Sequence, residues 1–78
     1  MGTFALNSPS VFDLESRLQQ AVQAVKGEAY SVVYWPTSAG KHGFAILRDG
    51  VDEQCSCELR PSTKVEAQAF AFVQRYLQ

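Results

Sequence analysis

Between residues 11 and 25 the apolar positions Val11, Leu14, Leu18, Ala21, Val22 and Val25 recur every three or four residues. That spacing lines one face of an α-helix, while Glu15, Arg17, Gln19, Gln20, Gln23 and Lys26 fall largely off it. Ser8 with Pro9, or Ser10 with Asp13, supplies start signals, and Gly27 sits where a left-handed stop is wanted. The pattern therefore predicts a helix from residue 9 or 10 to 26. At AYSVVYW the period changes, and a run of aromatic and β-branched residues ending at Pro36 predicts a strand over 29–35. PTSAGKHG reads as a loop and GFAILR as a second strand. Asp49-Gly50 is the dipeptide of a tight two-residue hairpin turn. From 51 to 60 the chain alternates, with Val51, Glu53, Cys55, Cys57 and Leu59 on one face and Asp52, Gln54, Ser56, Glu58 and Arg60 on the other. A two-residue turn would pair Arg48 with Val51, Ile46 with Glu53 and Phe44 with Cys55, so the apolar residues of both strands agree on one face.

The last segment, PSTKVEAQAFAFVQRYLQ, returns to helical spacing. Thr63 with Glu66 has the form of a capping box, and Val65, Ala69, Phe70, Phe72, Val73, Tyr76 and Leu77 form a broad apolar arc. Ala67, Ala71, Gln74 and Gln78 leave the opposite side small and polar. The expected architecture is an α+β fold of helix, three-stranded antiparallel meander and helix, with both helices packed on the Cys-bearing face of the sheet. Thr3 to Leu6 is a candidate for an additional short strand. At 78 residues and 46% hydrophobic, the chain suits a single domain over 1–78 with its own core.

Seven basic and eight acidic residues leave a net charge of -1, which gives no overall field toward nucleic acid or membrane. The start, MGTFALNSPS, lacks the basic opening and long apolar core of a signal peptide, and no apolar run approaches spanning length, so a cytoplasmic chain is expected. Leu6 stands where the N-myristoylation pattern wants Ser or Thr.

Cys55 and Cys57 raise the question of metal or redox chemistry. Side chains two apart on a strand lean in parallel, which suits neither a disulfide nor a closed metal cage, and His42 is the one histidine available to complete a ligand set. The reading favoured is two small apolar side chains in the core, with a redox or intersubunit metal role as the competitor. SAGKHG lacks the spacing of a phosphate-binding loop: Trp35 stands where its first Gly belongs, His42 where Ser or Thr belongs, and a strand follows instead of a helix. Asp52 and Glu53 point to opposite faces of a strand and cannot flank one substrate. No catalytic, metal or cofactor residue is assigned, and an enzyme is not expected from one small domain with no second enclosing layer.

Two surfaces remain as candidates. The meander brings Lys41, His42, Arg60 and Lys64 to one end, beside a helix N-terminus, as a candidate anion-binding end, and Glu28, Asp49, Asp52 and Glu53 to the other. The ordinary reading is that solvated loops carry charges. The αβββα order, the basic first hairpin loop and STKVEAQAF opening the last helix resemble the double-stranded RNA-binding domain family over roughly residues 8–77. The resemblance implies RNA contacts from this loop and this helix start. The family carries a lysine cluster where this chain has Lys64 followed by Glu66, and so few basic groups release few counterions, so the match is one of shape.

The second surface is the outer sheet face, where Trp35 and Leu47 would act as anchors bordered by Gln54 and Glu58. The competing geometry buries Trp35 and turns Tyr30, Val32 and Tyr34 outward. The expected function is a small non-enzymatic protein-binding module. One form would be a phage or mobile-element inhibitor of a host complex, of the anti-CRISPR type, acting by occupying a partner's surface. A homodimer seam is the competing use of the outer face, and weak nucleic-acid binding is the alternative function.

Overall fold

A computed structural model describes residues 11–78. The start signals at Ser8, Pro9 and Ser10 and the strand expected at Thr3 to Leu6 lie outside the described residues. The elements are α1 (Val11–Lys26), β1 (Tyr30–Pro36), β2 (His42–Arg48), β3 (Asp52–Leu59) and α2 (Val65–Leu77). The strands form an antiparallel meander in the order β1-β2-β3, which is the expected helix, three-strand, helix arrangement.

One core cluster joins both helices to the sheet. Leu14, Leu18 and Val22 come from α1, Val32, Phe44 and Ile46 from the sheet, and Ala69 and Val73 from α2, all at or below 5% exposure. Each fully buried side chain of Phe44 or Leu18 size contributes about 1.5–3 kcal/mol relative to exposure. The helices run parallel to each other. Near their starts the Arg17 guanidinium donates to Glu66 at 2.8 Å and lies 5.3 Å from the Phe70 ring, and near their ends Lys26 lies 5.3 Å from the Tyr76 ring.

The polar flank of α1 has a role that helical spacing alone does not suggest. Glu15 accepts the main-chain N–H of Tyr34 at 2.7 Å, Gln19 accepts that of Val32 at 3.1 Å, and Gln23 donates to the carbonyl of Tyr30 at 2.8 Å. Four residues of helix advance about 6 Å. Two residues of strand advance about 6.7 Å. Polar residues at i, i+4 and i+8 can therefore keep step with alternate residues of a strand running the other way. The helix closes the outer edge of β1 as a neighbouring strand would. The same alignment explains Val25, which was expected on the buried stripe but is 63% exposed. Gln23 is level with Tyr30, the first residue of β1, so the helix beyond it overhangs the sheet.

The β2–β3 hairpin corrects the expected register. Asp49 and Gly50 do form a tight turn, with φ of 57° and 77° and the Val51 N–H donating to the Arg48 carbonyl at 3.2 Å. The first ladder pair, however, is Arg48 with Asp52, and Val51 is left 83% exposed instead of sharing the inner face. A second irregularity follows. Leu47 pairs with Glu53 but Ile46 with Cys55, so Gln54 is an extra residue in β3. Either offset alone would turn Ser56 toward the core and Cys55 out of it; the two together restore parity. Phe44 therefore faces Cys57 and Ile46 faces Cys55, two residues along from the expected pairing. Glu53 lies before the bulge, opposite Leu47, on the outer face and not the cysteine face. The bulge thus keeps a carboxylate out of the apolar layer.

The start of α2 also differs from expectation. Lys64 is the N-cap residue and makes no side-chain capping bond, and its N–H donates to Ser62 Oγ at 3.0 Å. Glu66 is held by Arg17 of α1, so the Thr63–Glu66 capping box does not form.

Candidate functional site

Alternation from the core residues assigns the outer face row by row. Trp35 pairs with Gly43, which pairs with Glu58; Val33 with Ala45 and Ser56; and Ser31 with Leu47 and Glu53. Tyr30, Val32 and Tyr34 join or pack against the core, so the second geometry for β1 does not occur and Trp35 faces outward. The indole lies across Gly43: a Cβ built there would fall within 2.8 Å of three of its ring carbons. Glycine is required here by the close approach of the ring, and Trp35 is held flat on the sheet while remaining 37% exposed. A glycine facing tryptophan across a hairpin was the sequence signal for this arrangement, and it is readable only once the register is known.

The face is divided lengthwise. β1 and β2 contribute the exposed Trp35, the half-buried Val33 and Leu47 and the buried Ala45, whereas β3 contributes the exposed Glu53, Ser56 and Glu58. Glu58 therefore lies in the same cross-strand row as Trp35, with Gly43 between them. Gln54 is the bulged residue, and its amide donates to the Asp52 carbonyl at 3.0 Å, so its side chain is engaged on its own strand.

On the other side of β3, Cys55 and Cys57 are half-buried and not sealed in the core. They line an open groove of about 600 Å³ between β3 and α2, together with Leu59, Ala71, Phe72, Arg75 and Tyr76. Sequence reasoning missed this groove, because the broad apolar arc of α2 gave no sign that Phe72 and Tyr76 stand at its margin. Burial raises the Cys55 thiol, with Glu53 adding to the effect. Burial also raises Cys57, with Cys55 adding and Arg75 partly opposing. Both thiols are therefore protonated near neutral pH and poor nucleophiles. Among the described residues no group of three or more His, Cys, Asp or Glu could hold a metal ion.

The basic end is assembled loosely. His42 pairs with Leu59, which brings Lys41 and Arg60 to the same end of β2 and β3, and Lys64 opens α2 four residues later. His42 Nδ1 is 2.9 Å from the Tyr34 hydroxyl, and the Lys41 N–H donates to Thr37 Oγ1 at 2.9 Å. Arg60 and Lys64 are exposed. The opposite end is less acidic than expected, because Arg48 lies there and bonds Asp52 at 2.7 Å.

No family model matches the sequence, and no match was found among curated proteins or solved structures. No described helix is long and apolar enough to cross a membrane.

Proposed function

We propose that the chain is a non-enzymatic protein-binding module that uses its outer sheet face. The observation carrying this reading is Trp35, which lies across Gly43 yet stays partly exposed on the face away from the core. An aromatic side chain already fixed by its own sheet loses little freedom on binding, and aromatic anchors dominate interface energies. Leu47 is the second apolar anchor, and the Glu53, Ser56 and Glu58 column suits a partner whose surface has a recess for the indole beside basic groups. Occlusion of a host complex, in the manner of an anti-CRISPR inhibitor, is one activity such a module would perform.

Capture experiments with wild-type, Trp35→Ala, Leu47→Asp and Lys41→Glu/Lys64→Glu chains as baits, read by mass spectrometry, test the reading. Trp35→Ala should weaken capture by about 2 kcal/mol or more, with circular dichroism unchanged and the lysine variant behaving as wild type. Loss of capture only in the lysine variant, or capture of nucleic acid in place of protein, would reject it.

A further inference from the structure

We propose that the outer edge of β3 is the seam of a homodimer, in which β3 pairs antiparallel with β3 of a second copy about a two-fold axis at Cys57. The proposal concerns the main-chain edge of β3 and does not depend on the protein-binding reading, although Ser56 and Glu58 belong both to this edge and to the outer-face column.

The main-chain geometry identifies which groups are available. The N–H groups of Val32 and Tyr34 go to α1, so the intervening residues of β1 turn theirs to β2. Carried across the antiparallel ladder, the alternation turns Cys55, Cys57 and Leu59 toward β2 and leaves the N–H and C=O of Ser56 and Glu58 pointing away from the sheet. Among the described residues β3 pairs only with β2. β1 cannot serve in the same way, because Glu15, Gln19 and Gln23 already occupy its edge.

A two-fold pair must bring outward-facing residues opposite one another, which leaves three compact registers. Centring on Glu58 sets that carboxylate opposite itself, and like charges directly opposite are unfavourable. Centring on Ser56 sets Glu58 opposite the bulged Gln54, whose amide is tied to Asp52. Centring on Cys57 sets Ser56 opposite Glu58 twice, Cys55 opposite Leu59 twice, and Cys57 opposite itself. On the inner face every apolar residue then meets an apolar one, and on the outer face a hydroxyl meets a carboxylate. The pairing spans 55–59 and ends before the bulge. The groove supplies the remaining space. Leu59 and Cys55 of the second copy would enter beside Phe72, and the exposed Ala67 and Ala71 of α2 leave room for the second copy's α2 to approach.

Sedimentation equilibrium of the full chain tests the seam. Wild type should show a concentration-dependent dimer, and Ser56→Pro should be monomeric with unchanged circular dichroism. Proline at this position removes an N–H that faces away from β2, a place where edge strands accept it. Ser56→Glu, which sets two carboxylates opposite one another without altering the backbone, should also be monomeric. Mild oxidation should join two Cys55→Ala chains through a Cys57–Cys57 disulfide, because directly opposite residues of such a pair have Cα atoms about 4.5 Å apart, and should fail to crosslink the Cys57→Ala chain, whose remaining thiol faces Leu59. Monomeric wild type at about 1 mM, a dimer unaffected by both Ser56 variants, or equal crosslinking through either cysteine would overturn the proposal.

Discussion

The two edges of this three-stranded sheet are treated in opposite ways. Along β1, Glu15, Gln19 and Gln23 reach from α1 to main-chain groups of Tyr34, Val32 and Tyr30, so an incoming strand would find its bonding positions taken. Along β3, α2 stands off behind a groove, and among the described residues only a bulge at Gln54 and the outward carboxylate of Glu58 modify the edge. Bulges and edge charges are ordinary means of limiting strand addition, but they leave the intervening backbone able to bond. A sheet protects itself more completely with a helix whose polar flank matches the strand repeat than with a bulge.

The largest test of the contrast is removal of the seal. Each of the three α1 bonds to β1 main chain is worth about 1 kcal/mol, so combined Glu15→Ala, Gln19→Ala and Gln23→Ala should lower unfolding free energy by about 3 kcal/mol. Denaturant titration measures the loss, and amide exchange should quicken at Val32 and Tyr34 but not at Cys55 or Cys57, whose N–H groups turn to β2. Equal acceleration at both edges would mean that α1 stabilises the sheet only through its apolar stripe.

A smaller effect is expected on the β3 side. Cys57 faces Phe44 and Cys55 faces Ile46, and both thiols line the groove. Cys57→Ser should cost about 1–2 kcal/mol through an imperfectly bonded hydroxyl, with Cys55→Ser at the lower end. Losses above about 3 kcal/mol, measured by thermal and urea unfolding, would show that β3 is packed as tightly as the core and would close the groove.

The smallest effect is on pH dependence. Both thiols titrate above their ordinary value of 9.0 in the folded chain, chiefly through burial. The unfolded chain therefore ionises first as pH rises, so stability supplied by the protonated thiols is complete below the ordinary value and is lost as pH climbs through the folded one. Melting temperature should decline on the alkaline side, and less steeply in a Cys55→Ala/Cys57→Ala chain. An unchanged alkaline slope would place the titration elsewhere, with the Tyr76 hydroxyl, also raised by burial, the first alternative.

Alternation along a strand groups residues by face but does not say which face is covered. Trp35 and Leu47 were placed together from the period of two and the apolar content of the neighbouring helices, with burial of Trp35 as the competing geometry, and the packing of Tyr30, Val32 and Tyr34 decided between them. Glu53 was misplaced because a single bulge reverses parity, and nothing local to DEQC distinguishes an inserted residue from a paired one. The capping box failed because Glu66 had a better partner in Arg17, a residue 49 positions away.

The sequence by itself determined the five elements, their order, and the core residues Leu14, Leu18 and Val22 of α1 and Phe44 and Ile46 of β2, because these follow from local periodicity and from stop signals such as Gly27 and Asp49-Gly50. Only the tertiary structure decided what the polar residues do. Glu15, Gln19 and Gln23 look like solvated helix positions until β1 lies alongside, and Gly43 looks like a weak strand residue until Trp35 lies over it. Apolar burial is a property of a segment's pattern, whereas a hydrogen bond or a close approach needs a particular partner at a particular distance. That partner is supplied by the packing of elements far apart in the chain.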